Sequence, residues 1–213
     1  MNKINRDSFF ERIINFVSKY FLNTLIKTKI TPNQITIFGS LMGITGTLLY
    51  FYNSNLIFRI ISSVLLLTYI ICDFLDGDLA RKKNLHSVFG AMLDQFFDKI
   101  IFLLIILLMI LITDSKGILE LYQILFLGLS IVCFHFYIIQ IKEYSFNKRK
   151  KVIKKFNFFN LYNIFLRPSH TNIIFFFIFF YIINLTEYSL IILGFSSFLA
   201  IIKQFYNINK NLN

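Results

Sequence analysis

From Ile100 to Ile112 the chain carries only Ile, Leu, Met and Phe side chains. A helix built from such a run has no water-facing side and belongs inside a core or in lipid. Comparable apolar blocks recur along the chain, separated by short polar or basic turns, and that arrangement predicts several membrane-crossing helices rather than a soluble domain. Composition agrees: 56% of the 213 residues are hydrophobic and only 15% are charged, against about 25% in an ordinary globular protein. Disorder is excluded, and eight Gly, two Pro and two Cys exclude a collagen-like or disulfide-stapled chain. Cys72 and Cys133 both lie in apolar segments and are expected to be small buried hydrophobes. The N-terminus lacks a continuous apolar stretch followed by small residues, so no cleavable signal is expected.

The net charge is +11, with Lys and Arg between the apolar blocks at Lys3 to Lys29, Arg81 to Lys83, Lys142 to Lys155 and Lys203 to Lys210. Those are the places that cytoplasmic loops and anionic headgroups favour, so membrane phospholipids and not nucleic acid are the expected partners.

Apolar residues Phe9, Phe10, Ile13, Ile14, Val17, Tyr20, Phe21 and Leu25 recur at three- and four-residue spacing. They predict an amphipathic helix, with Ser8 and Glu11 at capping-box spacing, lying in the cytoplasmic interface of the membrane. Thr31-Pro32 starts a first span over Ile35–Tyr52, in which Gly39, Gly43 and Gly46 mark a close helix contact. Further spans are expected at Leu56–Ala80, Ser87–Ile112, Ile118–Ile141, Ile173–Ile183 and Tyr188–Ile202, with turns at Arg81–Asn84 and Asp114–Gly117 and a basic interfacial loop over Lys142–His170. The last two spans are short against the roughly 17 residues a crossing needs. The fold expected is therefore all-α and integral to the membrane: six transmembrane helices plus an N-terminal interfacial amphipathic helix, in a single domain, with both termini cytoplasmic.

The most informative residues are acidic. Asp73-Phe-Leu-Asp76-Gly77-Asp78-Leu-Ala80-Arg81 is followed after eight residues by Gly90-Ala-Met-Leu-Asp94-Gln-Phe-Phe-Asp98. At about 3.6 residues per turn Asp73 and Asp76 share one face of the second span, and Asp94 and Asp98 share one face of the third. Four carboxylates can thus converge across one hairpin. Each costs about 2.5–3.5 kcal/mol near the centre of a bilayer on the lenient scale, so positive charge must sit among them. Oxygen-only ligands at this density suit a hard cation, Mg²⁺ or Mn²⁺, and four carboxylates can hold two ions. Such ions could clamp a pyrophosphate, while Gly77, Ala80 and Gly90 leave room for a bulky group and Arg81 reaches a phosphate. The plainer alternative is a salt-bridge net with Arg81, Lys82, Lys83 and Lys99, which needs neither the glycines nor the spacing.

The pattern Asp-x2-Asp-Gly-x2-Ala-Arg-x8-Gly-x3-Asp-x3-Asp resembles, at all eight fixed positions, the signature of the CDP-alcohol phosphotransferase family, membrane enzymes of phospholipid synthesis. The resemblance implies that Asp73, Asp76 and Asp94 bind metal and that Asp98 is the general base with a metal contact. It also implies that Gly77, Ala80, Arg81 and Gly90 line the site for the CDP-linked substrate, and that the protein is a homodimer. Asn33 and Thr36 of Thr31-Pro-Asn-Gln-Ile-Thr36 are candidates for CDP contact or, equally, for helix capping. Asp78 points off the Asp73/Asp76 face and is expected to be solvated or salt-bridged. His86 is expected to be a loop residue, His135 a partnered core histidine, and Asn184-Leu-Thr186 an accidental sequon.

The function expected is transfer of a substituted phosphate from a CDP-alcohol to an acceptor alcohol, with release of CMP. The preferred donor is CDP-diacylglycerol and the preferred acceptor inositol-type, because the first span lacks an arginine common in the glycerophosphate-using branch. CDP-choline or CDP-ethanolamine with diacylglycerol is the alternative. From another class, a cation-coupled transporter would also use intramembrane carboxylates, but paired halves and broken helices are not evident. If the acceptor carries a phosphate, Lys142, Arg149, Arg167 and His170 are the candidates to bind it, unless the arginines only hold anionic lipid. Chain length and richness in Lys, Asn, Ile and Phe point to a bacterial inner membrane.

Overall fold

The computed structural model describes residues 9–52, 55–116, 120–121, 123–125, 127–129, 131–132 and 170–212. Six helices are bounded within them: α1 (Phe9–Leu25), α2 (Pro32–Tyr52), α3 (Leu56–Lys83), α4 (Val88–Lys116), α5 (His170–Ile182) and α6 (Thr186–Leu212). The described residues of 121–132 are helical as well, and no strand occurs among the described residues. The rest of the expected fourth span and the loop over 142–169 lie outside them, as do Ser8, Cys133 and His135.

In α1 the buried line is Ile14, Ser18 and Leu22, one turn apart each time, packed toward α3 and α5. Phe10 stacks on Phe175 of α5 with ring centroids 4.6 Å apart. Phe9, Ile13, Tyr20 and Phe21, expected on the apolar face, stay exposed, as does Phe16. The start of α2 carries the side-chain-to-backbone half of a capping box, which the Thr-Pro signal does not reveal: the Gln34 side-chain oxygen accepts from the Thr31 backbone N–H at 2.9 Å.

Among the described helices, α2 pairs most extensively with α3. That pairing depends on the three glycines expected there. A Cβ on Gly39 would lie 2.5 Å from the Cys72 Cβ, and one on Gly46 would lie 3.0 Å from the Ser62 carbonyl oxygen. The Ser62 hydroxyl closes the same contact by donating to the Gly46 carbonyl at 2.5 Å. Cys72 is buried, as expected. The larger core gathers Leu66 and Ile70 of α3, Ile101, Phe102 and Ile105 of α4, Ile174 and Phe177 of α5 and Leu193 of α6.

Several boundaries differ from expectation. α3 runs on to Lys83 through the expected turn at Arg81–Asn84, because three basic residues in the last turn complement the carbonyl end of the helix. Asn84 then stops it in the left-handed conformation, φ 56°, with the N–H groups of Asn84 and Leu85 both reaching the Ala80 carbonyl. α4 continues through Asp114 and Ser115 to Lys116, so the expected turn at Asp114–Gly117 does not begin at Asp114; polar side chains alone do not break a helix. α6 extends well past Ile202 into the basic tail. Asn184, read as an accidental sequon residue, is a helix stop: it has φ 60°, and the following Leu185 N–H bonds to the Phe180 carbonyl at 2.8 Å. α3 and the stretch Val88–Ile112 of α4 are long and apolar enough to cross a membrane, whereas the apolar stretches Thr171–Ile182 and Thr186–Leu199 are shorter.

Candidate active site

The α3–α4 hairpin brings the acidic residues together much as their spacing predicts. Asp73, Asp94 and Asp98 each offer a carboxylate oxygen, and these oxygens lie within 4.8 Å of one another. Asp76 stands apart from the trio. Its buried carboxylate accepts a hydrogen bond from the Thr36 hydroxyl of α2.

The trio fits a hard cation on its chemistry. Metal–oxygen bonds of about 2.1 Å put neighbouring ligand oxygens about 3 Å apart and opposite ones about 4.2 Å apart, within the spread seen here. Two of the four basic residues considered for a salt-bridge net have partners outside the trio. Arg81 pairs with Asp78 three residues earlier, and the Lys83 ammonium donates to the carbonyls of Thr28 at 2.7 Å and Ile30 at 2.9 Å. Asp78 is thus the salt-bridged residue its position on the helix predicts.

Beside Asp76 and Asp94 opens a cavity of about 160 Å³, and all six residues expected around a CDP-linked substrate line it: Asn33 and Thr36 from α2, Gly77, Ala80 and Arg81 from α3, and Gly90 from α4. Gly77 is open on that side, since a Cβ there would meet only the Arg81 guanidinium, at 3.6 Å. Gly90 is where α4 meets α2; a Cβ would fall 2.7 Å from Asn33 Oδ1 and 2.9 Å from Ser87 Oγ. The Ser87 hydroxyl caps α4 by accepting from the Gly90 N–H at 2.9 Å. Thr36 lines the cavity, but its hydroxyl is committed to Asp76.

Two residues were not assigned to the site by sequence. His86 lies in the turn, as expected, and also lines the cavity. Tyr69, one turn before Asp73, donates its hydroxyl to Asp98 Oδ1 at 2.5 Å. The spacing Tyr69, Asp73, Asp76 was the available signal, but a tyrosine in an apolar run reads first as core. Lys142, Arg149 and Arg167 lie outside the described residues, and His170 is the first residue of α5.

The sequence matches the profile of the CDP-alcohol phosphatidyltransferase family over residues 29–202. The chain belongs to that family, whose match takes in α2 to α4 with both halves of the acidic hairpin. Among curated proteins it is similar to a CDP-diacylglycerol–glycerol-3-phosphate 3-phosphatidyltransferase of Rickettsia typhi, 40% identical over 70 residues, covering 33% of this chain and 39% of the relative. It is likewise similar to an archaetidylinositol phosphate synthase of Pyrococcus horikoshii, 40% identical over 77 residues, covering 36% of this chain and 39% of the relative. An uncharacterised protein of Aquifex aeolicus is 39% identical over 90 residues, 42% of this chain and 39% of its own length. The chain therefore spans about two fifths of the length of these relatives. The family and the two long apolar helices make this a membrane protein.

Proposed function

We propose that the protein transfers a substituted phosphate from a CDP-alcohol to an acceptor alcohol and releases CMP, in phospholipid synthesis. The observation that carries this reading is the juxtaposition of the Asp73, Asp94 and Asp98 oxygens with a cavity collecting Asn33, Gly77, Ala80, Arg81 and Gly90. The cavity takes the nucleotide end of the donor, with Gly77 and Ala80 leaving space and Arg81 facing phosphate oxygens. Asp98 accepts the proton of the acceptor hydroxyl. The hydroxyl oxygen bonds to the phosphorus that carries the donor's alcohol, and the bond from that phosphorus to the oxygen of CMP breaks. Asp73, Asp76 and Asp94, with a contact from Asp98, would hold Mg²⁺ or Mn²⁺, two ions in the full set, which when bound supply charge neutralisation on the transferring phosphate.

CDP-diacylglycerol is the proposed donor, in keeping with the donor named for the Rickettsia relative. The proposed acceptor is a polar, inositol-type alcohol; the relatives' names carry both glycerol 3-phosphate and inositol phosphate. If the acceptor bears a phosphate, Arg149, Arg167, Lys142 and His170 are proposed to meet it. We further propose six spans, with α1 in the cytoplasmic interface where its exposed Phe16 and Tyr20 meet lipid, both termini cytoplasmic in a bacterial inner membrane, and a homodimer.

The deciding experiment is CMP release by purified protein from CDP-diacylglycerol, CDP-choline and CDP-ethanolamine, each with a panel of acceptors. CMP formation that chelator abolishes and Mg²⁺ or Mn²⁺ restores supports the reading. Asp98→Asn is expected to keep donor binding and lose turnover; near-normal activity in that variant removes Asp98 from the role of base.

A further inference from the structure

Tyr69 is 3% exposed and sits in the apolar middle of α3. A buried tyrosine hydroxyl needs a polar partner, and a phenylalanine would fill the same volume without that demand. Here the partner is Asp98 Oδ1 at 2.5 Å, on the neighbouring helix. The register accounts for the meeting. Tyr69 precedes Asp73 by one turn of α3, and Asp98 follows Asp94 by one turn of α4, so the hairpin that brings the Asp73 and Asp94 oxygens together brings Tyr69 to Asp98 one step along.

The ring itself is held. Gly43 of α2 backs it so closely that a Cβ there would lie 3.0 Å from Tyr69 Cγ and 3.3 Å from Tyr69 Cβ. That close approach at the base of the side chain and the burial of the ring restrict its rotamers, and the bond to Asp98 gives the hydroxyl one direction.

We propose that Tyr69 is a positioning residue of the active site: by holding Oδ1 of Asp98 it restrains rotation of that carboxylate and presents its remaining lone pairs toward the space it shares with Asp73 and Asp94 and toward the acceptor in one geometry. The proposal rests on the phosphotransfer reading for its role in turnover, and on the contact alone for its role in fixing Asp98. Outer-sphere donors that orient a ligating or reacting carboxylate have this effect without touching substrate.

The test is Tyr69→Phe together with 4-aminophenylalanine placed at position 69, which restores a donor of similar reach. Tyr69→Phe is expected to lower kcat at least about tenfold while KM for both substrates and Kd for Mn²⁺ stay within about threefold, and the amino variant is expected to recover most of that loss. The electron paramagnetic resonance spectrum of bound Mn²⁺ should change in Tyr69→Phe and return toward wild type with the amino variant. Turnover within twofold of wild type in Tyr69→Phe overturns the proposal, as does an equal loss in both variants with a matching fall in Tm, which is a packing effect. If wild-type protein releases no CMP from any donor, the phosphotransfer reading fails by itself; the Mn²⁺ spectrum still decides Tyr69, an unchanged spectrum in Tyr69→Phe overturning its hold on Asp98.

Discussion

The Thr36 hydroxyl of α2 donates to the Asp76 carboxylate of α3, tying the second turn of one helix to the acidic face of the next. The same oxygen lies 3.2 Å from the Pro32 carbonyl of its own helix, but a hydroxyl has one proton, and the contact to Asp76 is the closer of the two. Thr36 is thus a support for Asp76 within the wall of the cavity.

Thr36→Val keeps the shape of the side chain and removes the donor. If Asp76 is a metal ligand, Mn²⁺ affinity measured by calorimetry should fall about 10–100-fold, the usual cost of losing an outer-sphere partner. Affinity for CDP without metal should change less than about threefold. The reverse result, intact Mn²⁺ binding with lost CDP binding, would make Thr36 a nucleotide contact.

Gly39 and Gly77 are both helical glycines, yet Ala should act oppositely at the two. At Gly39 the new Cβ would sit 2.5 Å from the Cys72 Cβ, and overpacking of that kind costs about 1–3 kcal/mol. A lower Tm in detergent is expected, partly recovered by adding Cys72→Gly. At Gly77 the methyl meets only the Arg81 guanidinium at 3.6 Å, so Tm should hold or rise, since Ala is favoured over Gly in a helix by about 1 kcal/mol. The methyl projects toward the cavity, so affinity for the CDP donor should fall in the same variant. A Gly77→Ala protein that binds donor as wild type does would move the nucleotide elsewhere.

The acidic hairpin was legible because its chemistry is written in spacing: Asp73 with Asp76 and Asp94 with Asp98 must share helix faces if those segments are helical at all. The glycines of α2 were legible for a similar reason, since Gly39, Gly43 and Gly46 recur on one side of an apolar helix. Tyr69 was hidden because its volume and its position suit a core equally well, and only the partner across the hairpin reveals its hydroxyl's use. The ends of α3 and α4 were misjudged because charge was taken as a sign of a turn. Lys82 and Asp114 sit comfortably in helices, and the actual stop after Lys83 is the left-handed Asn84. Asn33 and Thr36 could be placed near the site but not told apart, because both fit a cap and a ligand contact until the bond to Asp76 is seen.

Asn84 sets the bend of the hairpin that carries both pairs of aspartates. A left-handed residue is tolerated by Asn or Gly and costs about 1–2 kcal/mol for other side chains. Asn84→Gly should therefore leave Tm within a few degrees of wild type, whereas Asn84→Val should lower it and weaken Mn²⁺ binding together. Equal behaviour of the two variants would separate the bend from the geometry of the acidic trio.

Lys83 is the other fixed point of this end of the molecule. Its ammonium donates to the carbonyls of Thr28 and Ile30 in the linker between α1 and α2, and that linker leads directly into Pro32 and Asn33 of the cavity wall. The rest of the linker is held locally: the N–H groups of Ile26, Lys27 and Thr28 bond back to carbonyls at the end of α1, the Thr28 hydroxyl to the Leu25 carbonyl at 2.8 Å, and the Ile30 N–H to that hydroxyl at 3.3 Å. Lys83→Met keeps much of the aliphatic stem and removes both bonds, each a charge-assisted bond worth about 1.5–3 kcal/mol in a buried setting and less here, where the contact is exposed. Hydrogen exchange should quicken at the amides of residues 26–31 while those of the Asp94–Ile105 stretch keep their protection. Because the cavity wall loses its tether but the trio does not, donor affinity should weaken several-fold with Mn²⁺ affinity unchanged. Uniform loss of protection across α3 and α4 would instead make Lys83 a determinant of the whole hairpin, and unchanged exchange in the linker would show that the lysine holds nothing there.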